Sequence, residues 1–216
     1  MKSFLNWLYR RLAYRVRVTG LEHIPKNGAY IIAGNHESYF DPGAIKIAVH
    51  SATKRDVFFL TQPAIAQTWK KILGPNAFSI LGMLPIDTTD KSKVLDSAAA
   101  YLQSGGIVGI FPEGTRNRLS KNSDWKNTLL KAKTGTARLA YTTGATVVPV
   151  AITAPAGIGI WQTIGNVLAF WKTTKIVFLP SITTTHTQSP SKEELDAWTT
   201  TLMNHIASAR GKRYPA

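Results

Sequence analysis

AYIIAG at residues 29–34 runs without a break into NHESYFDP at residues 35–42. The first six residues are short, apolar and lack polar alternation, which predicts a strand covered on both faces. The next eight hold His, Glu, Ser and Asp at the carboxyl end of that strand, where open α/β sheets place their ligand-handling loops. Working outward, VFFL (57–60), GIVGIF (106–111), TVVPVAI (146–152) and KIVFL (175–179) read as strands of the same kind. Helical spacing separates them. Ile65, Trp69 and Ile72 mark 64–73. Val94, Leu95, Ala98, Tyr101 and Leu102 mark 92–103, which stops at Gly105 and Gly106. Residues 128–143 read as a helix stopping at Gly144. A last helix opens at Ser191 with Glu194 three residues on, a capping box, and Leu195, Trp198, Leu202 and Ile206 give it one apolar face. Strands alternating with helices predict an α/β fold: a single domain whose mostly parallel central sheet is flanked by helices.

At 216 residues the chain is long enough for one well-buried core. An apolar fraction of 44% excludes disorder as a class. Twenty-six Lys and Arg against 12 Asp and Glu give a net charge of +14, which points to a polyanionic partner. With no cysteine there is no disulfide, thiolate metal site or cysteine nucleophile. Residues 3–14 gather Phe4, Leu5, Trp7, Leu8 and Leu12, while Lys2, Arg10, Arg11, Arg15 and Arg17 precede the first acid, Glu22. Such a segment suits a helix lying among lipid headgroups, and equally a helix packed on the domain with a solvated basic face. The expected division is an amphipathic membrane-contacting helix over 1–19 and a catalytic domain over 20–216. No apolar run is long enough to span a bilayer, and Arg10 and Arg11 interrupt the N-terminal one, so neither a transmembrane helix nor a signal peptide is expected. A cytoplasmic location follows as an expectation. Residues 155–171, apolar and uncharged with two tryptophans, read either as a surface helix capping the sheet or as a second lipid-contacting wall.

Two constellations carry chemistry. His36 and Asp41 are five apart, which on a helix would rotate them by roughly 140° from each other, so they meet only if 37–40 turn. Asp41-Pro42 suits a helix start, with Asp as N-cap and Pro in the first turn. A carboxylate bonded to one imidazole nitrogen frees the other to take a proton, so the pair reads as a general base and its orienter. Taken alone, Asp41 reads equally as a cap and His36 as a polar loop residue. The second constellation, Phe111-Pro112-Glu113-Gly114-Thr115-Arg116, stands at the end of another strand. Gly114 permits close backbone approach and Arg116 offers a fork for phosphate. From Arg116, the cations Arg118, Lys121, Lys126, Lys131, Lys133 and Arg138 face one acid, Asp124, a charge that attracts anionic donors or simply solvates a loop.

In this order and without gaps, NHESYFD and FPEGTR resemble the glycerolipid acyltransferases of the PlsC type, the 1-acyl-glycerol-3-phosphate acyltransferase family. Val147-Val148-Pro149-Val150 resembles that family's fourth motif, and the likeness covers residues 20–185, most of the chain. The resemblance implies a glycerol-3-phosphate acyltransferase-like fold and transfer of an acyl group from a thioester to a glycerolipid hydroxyl, with 1-acyl-glycerol-3-phosphate as acceptor. It implies His36 as general base oriented by Asp41, and Glu113, Gly114, Thr115 and Arg116 as acceptor-binding residues. It implies direct attack, with no cofactor beyond acyl-CoA or an acyl carrier protein thioester as co-substrate, no metal, and an enzyme peripheral at the inner face of an anionic membrane. His23, His50, His186 and His205 show no metal-ligand spacing. The second motif departs: Gly82-Met-Leu-Pro-Ile-Asp87-Thr88 has Thr88 where the family usually has Arg, with Lys91 and Lys93 as nearby cations. Another acceptor, whether lysophospholipid, glycolipid or aminolipid, therefore stays open. So do an inactive lipid-binding relative and a basic nucleic-acid-binding module, the last supported by net charge alone, so no nucleic acid is expected.

Overall fold

The computed structural model describes residues 16–61, 82–84, 91–116, 124–155 and 173–215, with 71, 74 and 165 as single positions. The expected helix at 3–14, that at 64–73 apart from position 71, the apolar stretch over 156–171 apart from position 165, and Thr88 lie outside the described residues.

Among the described residues seven strands make one sheet: β1 (Val16–Thr19), β2 (Tyr30–Gly34), β3 (Val57–Leu60), β4 (Met83–Leu84), β5 (Ile107–Ile110), β6 (Thr146–Thr153) and β7 (Thr174–Phe178). Their order is β1-β7-β6-β2-β5-β3-β4. Every neighbouring pair is parallel except β6 and β7. Among the described residues four α-helices cover the sheet: α1 (Asp41–Thr53), α2 (Lys91–Gln103), α3 (Gly135–Thr143) and α4 (Lys192–Arg210). Alternate residues of each central strand enter opposite cores. Ile31, Ala33, Val108, Ile110 and Val147 pack with Ala98, Leu102, Leu139, Leu202, Met203 and Ile206 from α2, α3 and α4. Tyr30, Ile32, Val57, Phe59, Ile107, Val148 and Ile152 pack with Ala44, Ile45 and Val49 from α1. Two buried faces explain the unbroken apolar strands. The expected α/β fold with a mostly parallel sheet is the one observed.

Three local readings change. Val16–Thr19, assigned from sequence to the N-terminal basic helix segment, is an edge strand parallel to β7, its exposure alternating as the pleat requires. Residues 128–134 do not begin a helix; α3 starts only at Gly135. Their main-chain donors go elsewhere: Leu129 N–H to the Arg213 carbonyl (2.9 Å), Leu130 N–H to Glu113 (2.9 Å) and Lys133 N–H to the Pro112 carbonyl (2.9 Å). Asp41 is not an N-cap. It is the first residue of α1, behind Phe40, which makes no side-chain cap. The Ser191–Glu194 capping box of α4 is present in both directions.

Candidate active site

β2 and β5 are parallel neighbours with Ala33 opposite Ile110, so their following loops, 35–40 and 111–116, emerge side by side. β6 flanks β2 on its other side. The helix after β2, α1, packs on one face of the sheet and the helix after β5, α3, on the other, the arrangement that opens a crevice beyond the strand ends.

Asn35 fixes the start of the first loop. Its Nδ2 donates to the Ile152 carbonyl (3.0 Å) and its Oδ1 accepts from Ile152 N–H (2.7 Å), so a side-chain amide continues the β2–β6 ladder by one rung. The chain then turns tightly around one carboxylate. Asp41 Oδ2 accepts from the N–H groups of Glu37 (2.6 Å) and Ser38 (2.8 Å), and Oδ1 accepts from Ser38 Oγ (3.0 Å). That turn brings His36 Nδ1 to 2.8 Å from the same Oδ2. Asp41 is buried and His36 only partly so. Because Oδ2 already accepts two amide protons, it is an acceptor toward the ring as well. Nδ1 therefore carries the hydrogen and Nε2 keeps a free lone pair. The spacing of five residues works because the carboxylate nucleates the turn that closes it.

The second loop supports the first. The His36 ring stacks on Phe111 with centroids 4.1 Å apart and planes 12° from parallel, and Phe111 stacks in turn on Phe59 at 5.2 Å. Glu113, expected to face the acceptor, has both oxygens taken by main chain: Oε1 accepts from His36 N–H (3.0 Å) and Oε2 from Leu130 N–H (2.9 Å). It is 4% exposed. Burial pushes its carboxyl up to about 7, against the opposing pull of those two amide bonds. Gly114 adopts φ +69°, and a Cβ there would lie 3.0 Å from Lys133 Nζ. Gly114 and Thr115 are exposed. Arg116 lays its guanidinium on the Tyr39 ring, Cζ 3.4 Å from the centroid, and its Nη1 is buried with no hydrogen-bond partner among the described residues.

The structure thus brings together His36, Asp41, Glu113 and, through Tyr39, Arg116. Asn35, Tyr39 and Phe111 stood within the quoted motifs, but spacing alone gave them no task. The partners that give them one are Ile152, Arg116 and the His36 ring.

Comparison with known proteins places the chain in a family. A family model described as Acyltransferase matches residues 15–153, which spans both loops and β1 to β6. A 1-acyl-sn-glycerol-3-phosphate acyltransferase of Borreliella burgdorferi is 27% identical over 145 residues, 64% of this chain and 51% of that protein. The chloroplastic 1-acyl-sn-glycerol-3-phosphate acyltransferase LPAT1 of Arabidopsis thaliana is 26% identical over 143 residues, 64% of this chain and 36% of that protein. The chain thus spans about half or less of the length of these curated relatives. The crystal structure of the 1-acyl-sn-glycerophosphate acyltransferase PlsC from Thermotoga maritima superposes with a TM-score of 0.58 at 22% identity, covering 96% of this chain and 80% of that one, a likeness of fold. With two abutting strand-end loops, an oriented imidazole between them and a family model matching from β1 to the end of β6, the chain belongs to the Acyltransferase family.

Proposed function

We propose that the protein transfers a fatty acyl group from an acyl thioester to a hydroxyl of 1-acyl-glycerol-3-phosphate, giving phosphatidate. One observation carries the reading: the 2.8 Å contact between His36 Nδ1 and Asp41 Oδ2, which leaves Nε2 as a base. His36 Nε2 takes the proton as the acceptor oxygen attacks the thioester carbonyl. The C–O bond forms and a tetrahedral intermediate carries the negative charge. The C–S bond then breaks, and the imidazolium returns its proton to the departing thiolate. Asp41 holds the tautomer and stabilises the imidazolium; base catalysis of this kind contributes ~10²–10⁴-fold. Arg116, steadied on Tyr39, binds the acceptor phosphate, with Gly114 and Thr115 presenting exposed backbone beside it. Glu113 acts as a brace for the His36 backbone, because each of its oxygens accepts a main-chain amide and the side chain is almost wholly buried.

The name of the Borreliella relative supports the acceptor, and the net charge of +14 supports docking at an anionic membrane surface, where the lipid acceptor resides. The donor is acyl-CoA or an acyl carrier protein thioester, both anionic. Among the described residues no helix is long and apolar enough to cross a membrane, which fits an enzyme peripheral to the inner leaflet. Thr88 in place of the usual Arg favours a second reading, acylation of another lipid acceptor. A panel of lysophosphatidate, lysophospholipid, glycolipid and aminolipid acceptors with radiolabelled acyl-CoA, resolved by chromatography, decides. Phosphatidate as main product supports the first reading. Turnover confined to one or more of the other acceptors supports the second, and no acyl transfer to any of them ends both.

A further inference from the structure

Beside the catalytic pair lies a buried ion cluster that the mechanism above does not use. Glu37, next in sequence to His36, is 1% exposed. Its Oε1 accepts from Lys212 Nζ at 3.0 Å, Arg210 Nη2 at 3.2 Å and Asn35 Nδ2 at 3.4 Å. Lys212 and Arg210 are themselves largely withdrawn from solvent, their side chains 5% and 13% exposed. Two cations taken out of water onto one carboxylate are costly unless the arrangement secures something else. Lys212 Nζ also donates to the Trp125 carbonyl (2.8 Å), and Arg210 Nη1 donates to Thr153 Oγ1.

The same segment, 211–214, straps the 124–132 stretch. Arg213 N–H donates to the Asn127 carbonyl (2.8 Å), the Arg213 carbonyl accepts from Leu129 N–H (2.9 Å), and Tyr214 Oη accepts from Ala132 N–H (3.0 Å). Between Leu129 and Ala132 lies Leu130, whose N–H holds Glu113 Oε2, while Glu113 Oε1 holds the N–H of His36. The segment following α4 thus reaches His36 by two routes: through Glu37 from one side, and through Leu130 and Glu113 from the other.

We propose that Lys212 and Arg210 are positioning residues for His36, locking the 35–41 turn through Glu37 while the 211–214 strap fixes the main chain that holds Glu113. Neither cation touches the reacting atoms. Their task is to keep Nε2 aimed. The inference rests on His36 being the base.

Charge gives the test a readout that a merely structural role would not move. Glu113 is faced by Glu37, which raises its carboxyl, and by Lys212, which lowers it. Arg210 stands on Glu37, Asp41 on the His36 ring, and Lys133 over Gly114. When Glu113 takes a proton, one oxygen becomes a donor and a poorer acceptor, so its bond from His36 N–H or Leu130 N–H weakens. Removing the Lys212 charge raises the carboxyl further, so the acid limb of kcat/KM moves to higher pH.

The experiment compares wild type, Lys212→Met, Lys212→Arg and Arg210→Gln as full chains, with lysophosphatidate in mixed micelles and acyl-CoA as donor. Lys212→Met is expected to lower kcat ~10-fold or more with KM within about twofold, and to shift the acid limb upward, because misaimed catalytic groups lose rate before binding. Lys212→Arg is expected to restore both. Amide exchange at His36 and Leu130 is expected to quicken in Lys212→Met, a readout independent of turnover. If wild type acylates no lysophosphatidate, the functional reading fails while amide exchange still decides the strap. If Lys212→Met does not fold, Arg210→Gln carries the expectations for kcat and amide exchange, since Arg210 holds Glu37 directly. Unchanged kcat, unchanged acid limb and unchanged amide exchange, with only a lower melting temperature, overturn the proposal.

Discussion

Asp41→Asn separates charge from shape at the centre of the site. Asn keeps one oxygen where Oδ2 now sits, and that oxygen still accepts from Glu37 N–H, Ser38 N–H and His36 Nδ1–H. Its amide group then occupies the Oδ1 position, where Ser38 Oγ reverses from donor to acceptor. The turn therefore survives, and the melting temperature is expected to fall by no more than ~2–4 °C, the equivalent of about 1 kcal/mol in a domain of this length. The negative charge does not survive. In the transition state of the proposed reaction His36 becomes an imidazolium against a buried, hydrogen-bonded oxygen at 2.8 Å. Opposite charges with centres ~4 Å apart attract by about 4 kcal/mol at an effective dielectric of 20. At about 1.4 kcal/mol per decade that is a ~10³-fold fall in kcat. KM is expected to stay within about threefold, because Asp41 is buried and touches no substrate. The assay follows thiol release from acyl-CoA and confirms product by chromatography. A kcat within tenfold of wild type, in a variant that melts as expected, refutes the claim that Asp41 works by charge on the ring.

Glu113→Gln should change the pH dependence of stability. The folded carboxyl sits near 7, above its ordinary 4.5, so the native state holds the proton more tightly than the unfolded chain. The contribution of Glu113 to wild-type stability is then greatest below about pH 4.5 and declines by roughly 3 kcal/mol as pH rises through 7. The glutamine variant loses that decline, and it pays about 1–3 kcal/mol at all pH for pointing an amide at a backbone N–H. The melting-temperature gap between the two proteins therefore narrows from pH 5 to pH 8; a constant gap contradicts the assignment. Tyr39→Ala frees the Arg116 guanidinium from its ring and is expected to raise the acceptor KM several-fold with little change in kcat, while Tyr39→Phe keeps the stack and the KM. Gly109→Ala places a Cβ 2.3 Å from the Phe59 ring, against the stack that carries Phe111 and His36. Overpacking of ~1–3 kcal/mol with a loss of kcat is expected, checked by thermal melts and turnover.

The sheet was readable because its central strands are buried on both faces and so carry no polar residue to confuse the pattern. The short edges were not. β1 is four residues long and alternates arginine with valine, which reads equally as a basic helix, and β4 is two residues within a motif. Residues 128–134 look like helix formers, yet their amides are claimed by Arg213, Glu113 and Pro112, a tertiary demand that no local window contains. In the site, His36 and Asp41 were legible because a five-residue loop can close on itself. Tyr39 with Arg116, Asn35 with Ile152 and Glu37 with Lys212 were not, since those pairs meet only once β2, β5, β6 and α4 are assembled. Glu113 shows a subtler failure. Its place in the motif was plain, but whether it faces substrate or backbone depends on which amides surround it.

The most direct measurement is acyl transfer to lysophosphatidate by His36→Ala, run beside wild type with circular dichroism and binding to anionic vesicles as controls. With Nε2 gone and the Asp41 turn still closed by the amides of Glu37 and Ser38, turnover should fall by ~10³-fold or more while fold and vesicle binding stay at wild-type levels. Turnover near the wild-type rate in that variant would show that another group removes the hydroxyl proton.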